Sequence, residues 1–346
     1  MGNTFAVQDT PGAQAAIAAW RTLDCGGAGP TSVDLIGREP SGRPAGRRGR
    51  TVYRLEGAGP RGATVMAKIS AVPTASIERF MYERVLPHAG VTAPRYYGSI
   101  DAEDGFVWLF LEDVGSERFS SDDDAQRRAA GRWFGALHSR APDVPGAAEL
   151  PDRGPRHYLE CLRSARRGML ENLSNPVLRA ADLGVLRGVL ALLDAIESDW
   201  PAVEASCASI PPTLTHGDFQ PKNVYVRRDS SGMKLYPIDW ETAGWGVPAA
   251  DLAPARGRGL SSPVDLTVYG RIVRRRWTQL DDPTIRDLVF VGTLFRRLIA
   301  IHWSMQGLVV PWLDKPIAQL EFYRSELEEA LREPPWRRDA GRGSRR

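Results

Sequence analysis

The spacing of apolar residues changes once along the chain, and this change limits the folds open to it. The first part contains short strand-like runs at 32–36, 51–55, 63–69 and 107–111, and two helical stretches at 11–23 and 76–86. Later apolar residues recur at helical spacing over 122–139, 156–170, 177–200, 264–277, 284–304 and 315–331. We therefore predict an α+β fold. Its small β-rich N-terminal lobe spans residues 1–113, its larger and mainly helical C-terminal lobe spans 114–332, and a flexible basic tail spans 333–346.

Residues 213–239 break the helical pattern with two short apolar runs. Asp218 lies in a loop five residues before Asn223, and Asp239 ends the second run, sixteen residues after Asn223. Turn-forming residues between the runs predict a hairpin, which would return Asp239 towards Asn223. Mg²⁺ takes carboxylate and amide oxygens together with phosphate oxygens. We expect a Mg²⁺ site at Asn223 and Asp239, with Asp218 left to orient a hydroxyl and accept its proton. The alternative is a chance surface loop, which would have to place these residues by accident.

The order and spacing of these residues resemble the catalytic loop of the aminoglycoside phosphotransferase and choline kinase group. This group is the small-molecule branch of the protein-kinase-like fold, and the resemblance covers about residues 30–255. It implies a bilobal protein-kinase-like fold. It also implies that Asp218 is the catalytic base, that Asn223 and Asp239 bind Mg²⁺, and that His216 is a structural member of the loop.

A second stretch, 246–253, is similar to the same family and contains Asp251, which by this resemblance braces the catalytic loop. The chain departs from ordinary protein kinases at two places. Gly217 stands where they carry Arg, and Trp240-Glu241 follows Asp239 where they carry Phe-Gly. Both departures favour the small-molecule branch over a protein kinase.

Such a kinase needs a lysine on a strand of the first lobe, placed on the nucleotide phosphates and held by a helix glutamate. Of 45 basic residues only four are lysines, and Lys68 is the only one before residue 222. We predict that Lys68 binds phosphate, although an edge-strand lysine facing water is the alternative. Glu78 matches the family position of its partner better than Glu83, but apolar spacing does not separate the two.

The remaining nucleotide contacts rest on one resemblance and on the composition of one loop. Residues 110–114 resemble the segment whose backbone binds the purine, which assigns Glu112 and Val114 to nucleotide binding without separating ATP from GTP. Glycines at 42, 46 and 49 lie between two predicted strands, but their spacing does not match the protein-kinase pattern. Arginines in the same loop, 42–50, either bind phosphate oxygens or are solvated.

Composition excludes several other classes of protein. The net charge of +3 is small, so a nucleic-acid-binding surface is not expected. The apolar stretch 288–303 is interrupted by Arg296 and Arg297, which argues against a membrane span. The three cysteines are widely spaced, as for reduced thiols. With no signal-peptide pattern, the cytoplasm is the expected location.

The expected reaction is Mg²⁺-dependent transfer of phosphate from ATP or GTP to a hydroxyl of a small molecule, such as an antibiotic or other natural product. The helical half has many arginines, which favours a neutral or anionic acceptor over a polycation. Alternatives are a metabolic kinase of a sugar, nucleoside or amino alcohol, a protein kinase, and a kinase-like binding module without activity.

Overall fold

A computed structural model of the chain describes residues 10–23, 29–38, 51–230, 232–254, 262–309 and 314–336. The helices are α1 (Pro11–Thr22), α2 (Val72–Phe80), α3 (Leu86–Ala89), α4 (Asp124–Arg140), α5 (Pro155–Asn172), α6 (Ala180–Ser198), α7 (Trp200–Ala208), α8 (Ala249–Leu252), α9 (Leu266–Val273), α10 (Asp282–Met305) and α11 (Asp314–Ala330). The strands are β1 (Ser32–Arg38), β2 (Thr51–Glu56), β3 (Val65–Ala71), β4 (Tyr96–Ala102), β5 (Phe106–Glu112), β6 (Asp152–Arg153), β7 (Thr213–Thr215), β8 (Val224–Asp229), β9 (Gly232–Pro237) and β10 (Gly244–Gly246).

The chain divides into two compact units that are not consecutive in sequence. Unit 1 comprises Met1–His88, Thr92–Arg118 and Lys222–Glu241, and unit 2 comprises Ala89–Val91, Phe119–Pro221 and Thr242–Arg346. The predicted boundary after residue 113 lies close to Arg118. Unit 1 nevertheless takes in a segment from the later part of the chain, so candidate site residues that are neighbours in sequence fall in different units.

Unit 1 is built on an antiparallel five-stranded sheet in the order β1-β2-β3-β5-β4. Helix α1 begins after Thr10, whose side chain accepts from the Ala13 N–H, and proline at its first position suits the helix start. Trp20 of α1 is buried beside Phe110 and donates to the Ala58 carbonyl at 3.1 Å. The apolar core therefore lies between α1 and one face of the sheet.

The edge strand β4 was not predicted. All but one of its residues are half-buried and none is buried, so its sequence does not alternate cleanly between apolar and polar positions. Its register with β5 shifts between Tyr96 and Gly98, and Gly98 has a φ of 143°. In an edge strand with a bulge, apolar and polar residues alternate less regularly along the sequence, so such a strand is hard to predict.

Unit 2 is mainly helical, and α10 lies at its centre against α5, α8 and α11. A small sheet in the order β6-β10-β7 carries the start of the 216–220 loop. By length and composition, α10 alone among the described helices could cross a membrane. However, 67% of its most apolar window is buried, as in the core helix of a globular protein.

Two sequence predictions concern residues that lie wholly or mostly outside the described ranges. Loop 42–50 lies outside them, as does 337–346, most of the predicted tail. The described start of the predicted tail, residues 333–336, includes Trp336. Trp336 packs on Phe290, with ring centroids 5.3 Å apart, and donates to Asp199 at 3.2 Å. A half-buried aromatic side chain with a ring contact and a hydrogen bond fixes the backbone that carries it.

Candidate active site

The candidate site residues fall into two sets, one in each unit. Lys68, Glu78, Glu112, Val114, Asn223 and Asp239 belong to unit 1, whereas His216, Asp218 and Asp251 belong to unit 2. We call Lys68, Glu78, Asn223 and Asp239 the lysine cluster, and residues 216–220 the aspartate loop.

The lysine cluster is centred on the Lys68 ammonium group, in the middle of β3. Its Nζ lies 2.5 Å from Glu78 Oε2 and 2.8 Å from Asp239 Oδ1. All three residues are buried, with exposures of 7%, 1% and 6%. Glu83 is not the partner, because its carboxylate accepts from the Tyr96 hydroxyl at 2.7 Å and pairs with an arginine. Lys68 is therefore an internal lysine and not an edge-strand lysine facing water.

The position of Glu78 on α2 explains why its side chain reaches Lys68. Glu78 lies near the end of α2, which begins directly after β3, and the helix continues as one π-helical stretch, Met81–Val85. Tyr82 of that stretch is buried near the two carboxylates. Burial first, then the charges of Glu78 and Asp239, raise the pKa of Tyr82 well above its ordinary value. A neutral tyrosine and a lysine thus line a site that holds two carboxylates.

The hairpin of β8 and β9 brings Asn223 and Asp239 to the same end, as predicted. Val224 pairs with Pro237, and the Ile238 N–H donates to the Asn223 carbonyl at 2.8 Å. Asn223 is 3% exposed, and Asp239 has a φ of 71°, a left-handed conformation that Asp tolerates better than most residues. The backbone is thus turned sharply at the residue whose carboxylate meets Lys68.

The donor set of the lysine cluster suits a Mg²⁺ ion. Lys68 offsets only one of its two buried carboxylates, so the side chains together carry one excess negative charge. One oxygen of Glu78, Oε1, has no hydrogen-bond partner in the described part of the chain. The described residues contain no group of three or more His, Cys, Asp or Glu placed to hold a metal. A cation here would therefore take few protein ligands, which is usual for Mg²⁺ that also binds substrate phosphates.

The segment assigned to purine binding lies at the end of β5. The Glu112 side chain is used within unit 1, since it accepts from Arg227 Nη1 at 2.7 Å and from the Arg95 N–H at 3.1 Å. The backbone N–H of Glu112 donates to the Arg95 carbonyl, and Val114 is buried. Any nucleotide contact at Glu112 is therefore left to its backbone carbonyl, whereas its carboxylate stabilises the segment.

The aspartate loop follows β7 in unit 2, and the side chain of Asp251 fixes its backbone. The two carboxylate oxygens of Asp251 accept from the N–H groups of His216 and Gly217, each at 2.8 Å. The Thr242 hydroxyl donates to the His216 carbonyl at 2.8 Å. Gly217 has a φ of 78°, and a Cβ there would lie 2.9 Å from the Thr242 carbonyl oxygen, so this position requires glycine.

Asp251 is fully buried and ionised. Burial alone would raise its pKa, but hydrogen bonds and charges from His138 and His216 outweigh it, so the pKa of Asp251 lies below its ordinary value. His138 Nε2 lies 3.3 Å from Asp251, and its Nδ1 lies 3.1 Å from the Tyr269 hydroxyl. Asp251 is thus the anionic anchor of the loop.

Asp218, the residue predicted to act as the base, has a partly accessible carboxylate. Its side chain is 16% exposed and accepts from Gln220 Nε2 at 2.6 Å through both oxygens. Arg296 Nη2 of helix α10 lies 3.3 Å from Asp218 Oδ1. The carboxylate is therefore held by two side chains, one from its own loop and one from the core helix.

Sequence reasoning missed three of these contacts. His138 is completely buried, and its partner Asp251 is 113 residues away along the chain. In the sequence, Arg296 appears only as an interruption of an apolar run, and Gln220 carries no signal of its own. A charge inside a core helix is the signal that could have drawn attention to Arg296, because such charges are buried only with partners.

Comparisons with known proteins show the family of the chain and its fold. The sequence matches the phosphotransferase enzyme family over residues 41–284, well over half of the chain. No curated protein matches the sequence significantly.

Three solved structures illustrate the similarity in fold. Spectinomycin phosphotransferase in complex with ADP and spectinomycin is 14% identical, with a TM-score of 0.54 over 91% of this chain and 98% of that one. The enzyme APH(2")-IIia in complex with GDP and kanamycin is 17% identical, with a TM-score of 0.57 over 90% and 98%. Choline kinase from Cryptosporidium parvum Iowa II is 11% identical, with a TM-score of 0.54 over 86% and 90%. These likenesses confirm the predicted α+β protein-kinase-like fold.

Proposed function

Because the chain belongs to the phosphotransferase enzyme family, in which it is a small-molecule kinase, we propose that it moves the terminal phosphate of ATP or GTP to an alcohol with the help of Mg²⁺. The observation that carries this proposal is the buried contact of Lys68 with both Glu78 and Asp239. Two carboxylates fix the position of the lysine ammonium group, whose compact charge can then bind phosphate oxygens. An ion pair without this role would need only one carboxylate.

In this proposal each residue of the lysine cluster has a separate task. Lys68 binds nucleotide phosphate and Glu78 holds it in place. Asn223 and Asp239 hold Mg²⁺, which would neutralise charge on the phosphates when bound. Glu112 and Val114 contribute backbone contacts to the purine.

The aspartate loop supplies the acceptor end of the reaction. Asp218 orients the acceptor hydroxyl and accepts its proton as the phosphate is transferred. His216 shapes the loop, and Asp251 fixes it through two backbone N–H groups. Because the loop is braced before any substrate arrives, catalysis is mainly a matter of positioning.

The acceptor is proposed to be an antibiotic or another hydroxylated natural product, because similar folds occur in structures that contain spectinomycin and kanamycin. The second candidate is a metabolic amino alcohol, since choline and ethanolamine kinases share the fold. The arginines of the helical half do not discriminate between an antibiotic and an amino alcohol as the acceptor. Several are compensated by acidic neighbours: Arg156 by Glu160, Arg163 by Glu197, Arg166 by Asp194, Arg274 by Asp282 and Arg276 by Asp143.

We also place the protein in the cytoplasm and expect neither nucleic acid nor membrane as a partner. Cys161 and Cys207 are free and buried. Burial raises the pKa of Cys161 to about 11 and that of Cys207 to about 12, so both thiols are protonated and unreactive at neutral pH. Such thiols suit a reducing compartment.

The proposal is tested by incubating the protein with ATP or GTP, with and without Mg²⁺, and a panel of antibiotics, amino alcohols, sugars and nucleosides. Mass spectrometry should find one acceptor class heavier by one HPO₃ when Mg²⁺ is present. Asp218→Asn serves as the inactive control. Nucleotide that stays intact under every condition would instead support a kinase-like binding module.

A further inference from the structure

Helix α10 places two neighbouring arginines inside unit 2. Arg296 is 6% exposed and Arg297 is 1% exposed, on a helix that is otherwise mostly apolar. Removing a guanidinium from water costs several kcal/mol unless a partner offsets the charge. Two such residues side by side therefore require explanation.

Arg297 has a structural explanation. Its Nε lies 2.5 Å from Glu326 Oε2 of helix α11, and both side chains are almost completely buried. The pair joins two core helices and lies among residues to which we assign no part in the reaction. Arg297 thus provides a reference for what a purely structural arginine does in this helix.

Arg296 points to the aspartate loop instead. Its Nη2 lies 3.3 Å from Asp218 Oδ1, while its Nη1 lies 3.5 Å from the Gly217 carbonyl and 3.4 Å from the Ala250 carbonyl. Its Nε has no hydrogen-bond partner among the residues that the structure describes. The charge of this core arginine is thus directed at Asp218 and at the backbone around it.

We propose that Arg296 is a positioning residue for Asp218, an inference that rests on the proposed role of Asp218 as the base. The guanidinium comes from a long, packed helix, so its position is fixed by the core and not by the loop. Together with Gln220 on the loop itself, it limits the rotamers of the carboxylate. It also places a positive charge 3.3 Å from the Asp218 carboxylate, which is only 16% exposed.

The test compares Arg296→Met, Arg296→Lys and the matched variant Arg297→Met. We measure ADP or GDP formation with water alone and with the alcohol panel, and the affinity for ADP or GDP by calorimetry. Arg296→Met should lower kcat about 10- to 100-fold, as expected when a reacting group is misplaced, with nucleotide affinity and KM within about twofold of wild type. Arg296→Lys should regain part of the loss, whereas Arg297→Met should lower the unfolding temperature and leave kcat nearly unchanged.

Arg296→Met with wild-type kcat, or Arg297→Met with an equal loss of kcat, would overturn the proposal. A second measurement needs neither activity nor an arginine variant that folds. In the ¹H–¹⁵N spectrum, the Nε–H signal of Arg296 should shift in Asp218→Asn while that of Arg297 stays in place, and an unmoved Arg296 signal contradicts the contact. If the wild-type protein forms no product, the proposed function fails, and this spectrum still decides on Arg296.

Discussion

Asp251 gives the sharpest prediction about stability. Its carboxylate accepts two backbone N–H groups at 2.8 Å and approaches His138 at 3.3 Å, all in a fully buried place. Asp251→Asn keeps the shape but replaces one acceptor oxygen by an NH₂ group, so one donor loses its partner. Hydrogen bonds to a charged group contribute about 1.5–3 kcal/mol each, and an unpaired buried donor costs about 1–3 kcal/mol. We expect a loss of about 3–5 kcal/mol in the free energy of unfolding.

The assay is urea denaturation followed by tryptophan fluorescence, with Asp124→Asn as the control. The Asp124 side chain is 78% exposed, so this change should stay within about 0.5 kcal/mol of wild type. If Asp251→Asn lowers the free energy of unfolding by less than about 1 kcal/mol, the reasoning is refuted, because breaking a buried ionic contact should cost more.

The difference between wild type and Asp251→Asn should also depend on pH. The folded pKa of Asp251 lies below its ordinary value of 3.8, so above that value the carboxylate is ionised in both states and its contribution is complete. As the pH falls below it, the unfolded chain binds the proton first, and the contribution is lost as the pH passes through the folded pKa. The gap between the two proteins should therefore narrow in acid, and a gap that widens would contradict an ionised Asp251.

Three further substitutions test the site. Lys68→Met should abolish most nucleotide turnover and destabilise the fold by about 3–5 kcal/mol, since two buried carboxylates lose their counter-charge, and Lys68→Arg should not restore turnover. Glu78→Gln should lower turnover about tenfold or more, whereas the matched Glu83→Gln should change it less than about twofold; equal effects would remove Glu78 from its role. Gly217→Ala should destabilise by about 1–3 kcal/mol more than Gly62→Ala in urea melts, because both have positive φ but only position 217 meets a carbonyl oxygen.

The lysine cluster shows how much of a site local sequence can predict. The hairpin that returns Asp239 to Asn223 follows from two short apolar runs and a turn, and the structure confirms it. The preference for Glu78 over Glu83 came from a family position, and the observed ion pair involves Glu78. Both features depend on residues joined by short, regular elements.

Contacts that depend on tertiary packing were not predictable in the same way. Arg296 lies 78 residues from Asp218 along the chain. The sequence does not indicate which residue a charged side chain of a core helix will contact. His138 and Asp251 lie even farther apart, 113 residues along the chain. The preference for a neutral or anionic acceptor rests on a count of arginines and stays a prediction, since a count does not reveal which of them are paired.

The most direct test of the account compares Asp218→Asn with the wild-type protein in one experiment, measuring nucleotide affinity and phosphate transfer on the same samples. Removing a general base typically costs about 10²- to 10⁴-fold in rate. We predict that Asp218→Asn binds ADP or GDP with wild-type affinity and loses transfer by this factor. Transfer at a rate close to wild type would contradict the assignment of Asp218 as the base, and with it the central claim about the aspartate loop.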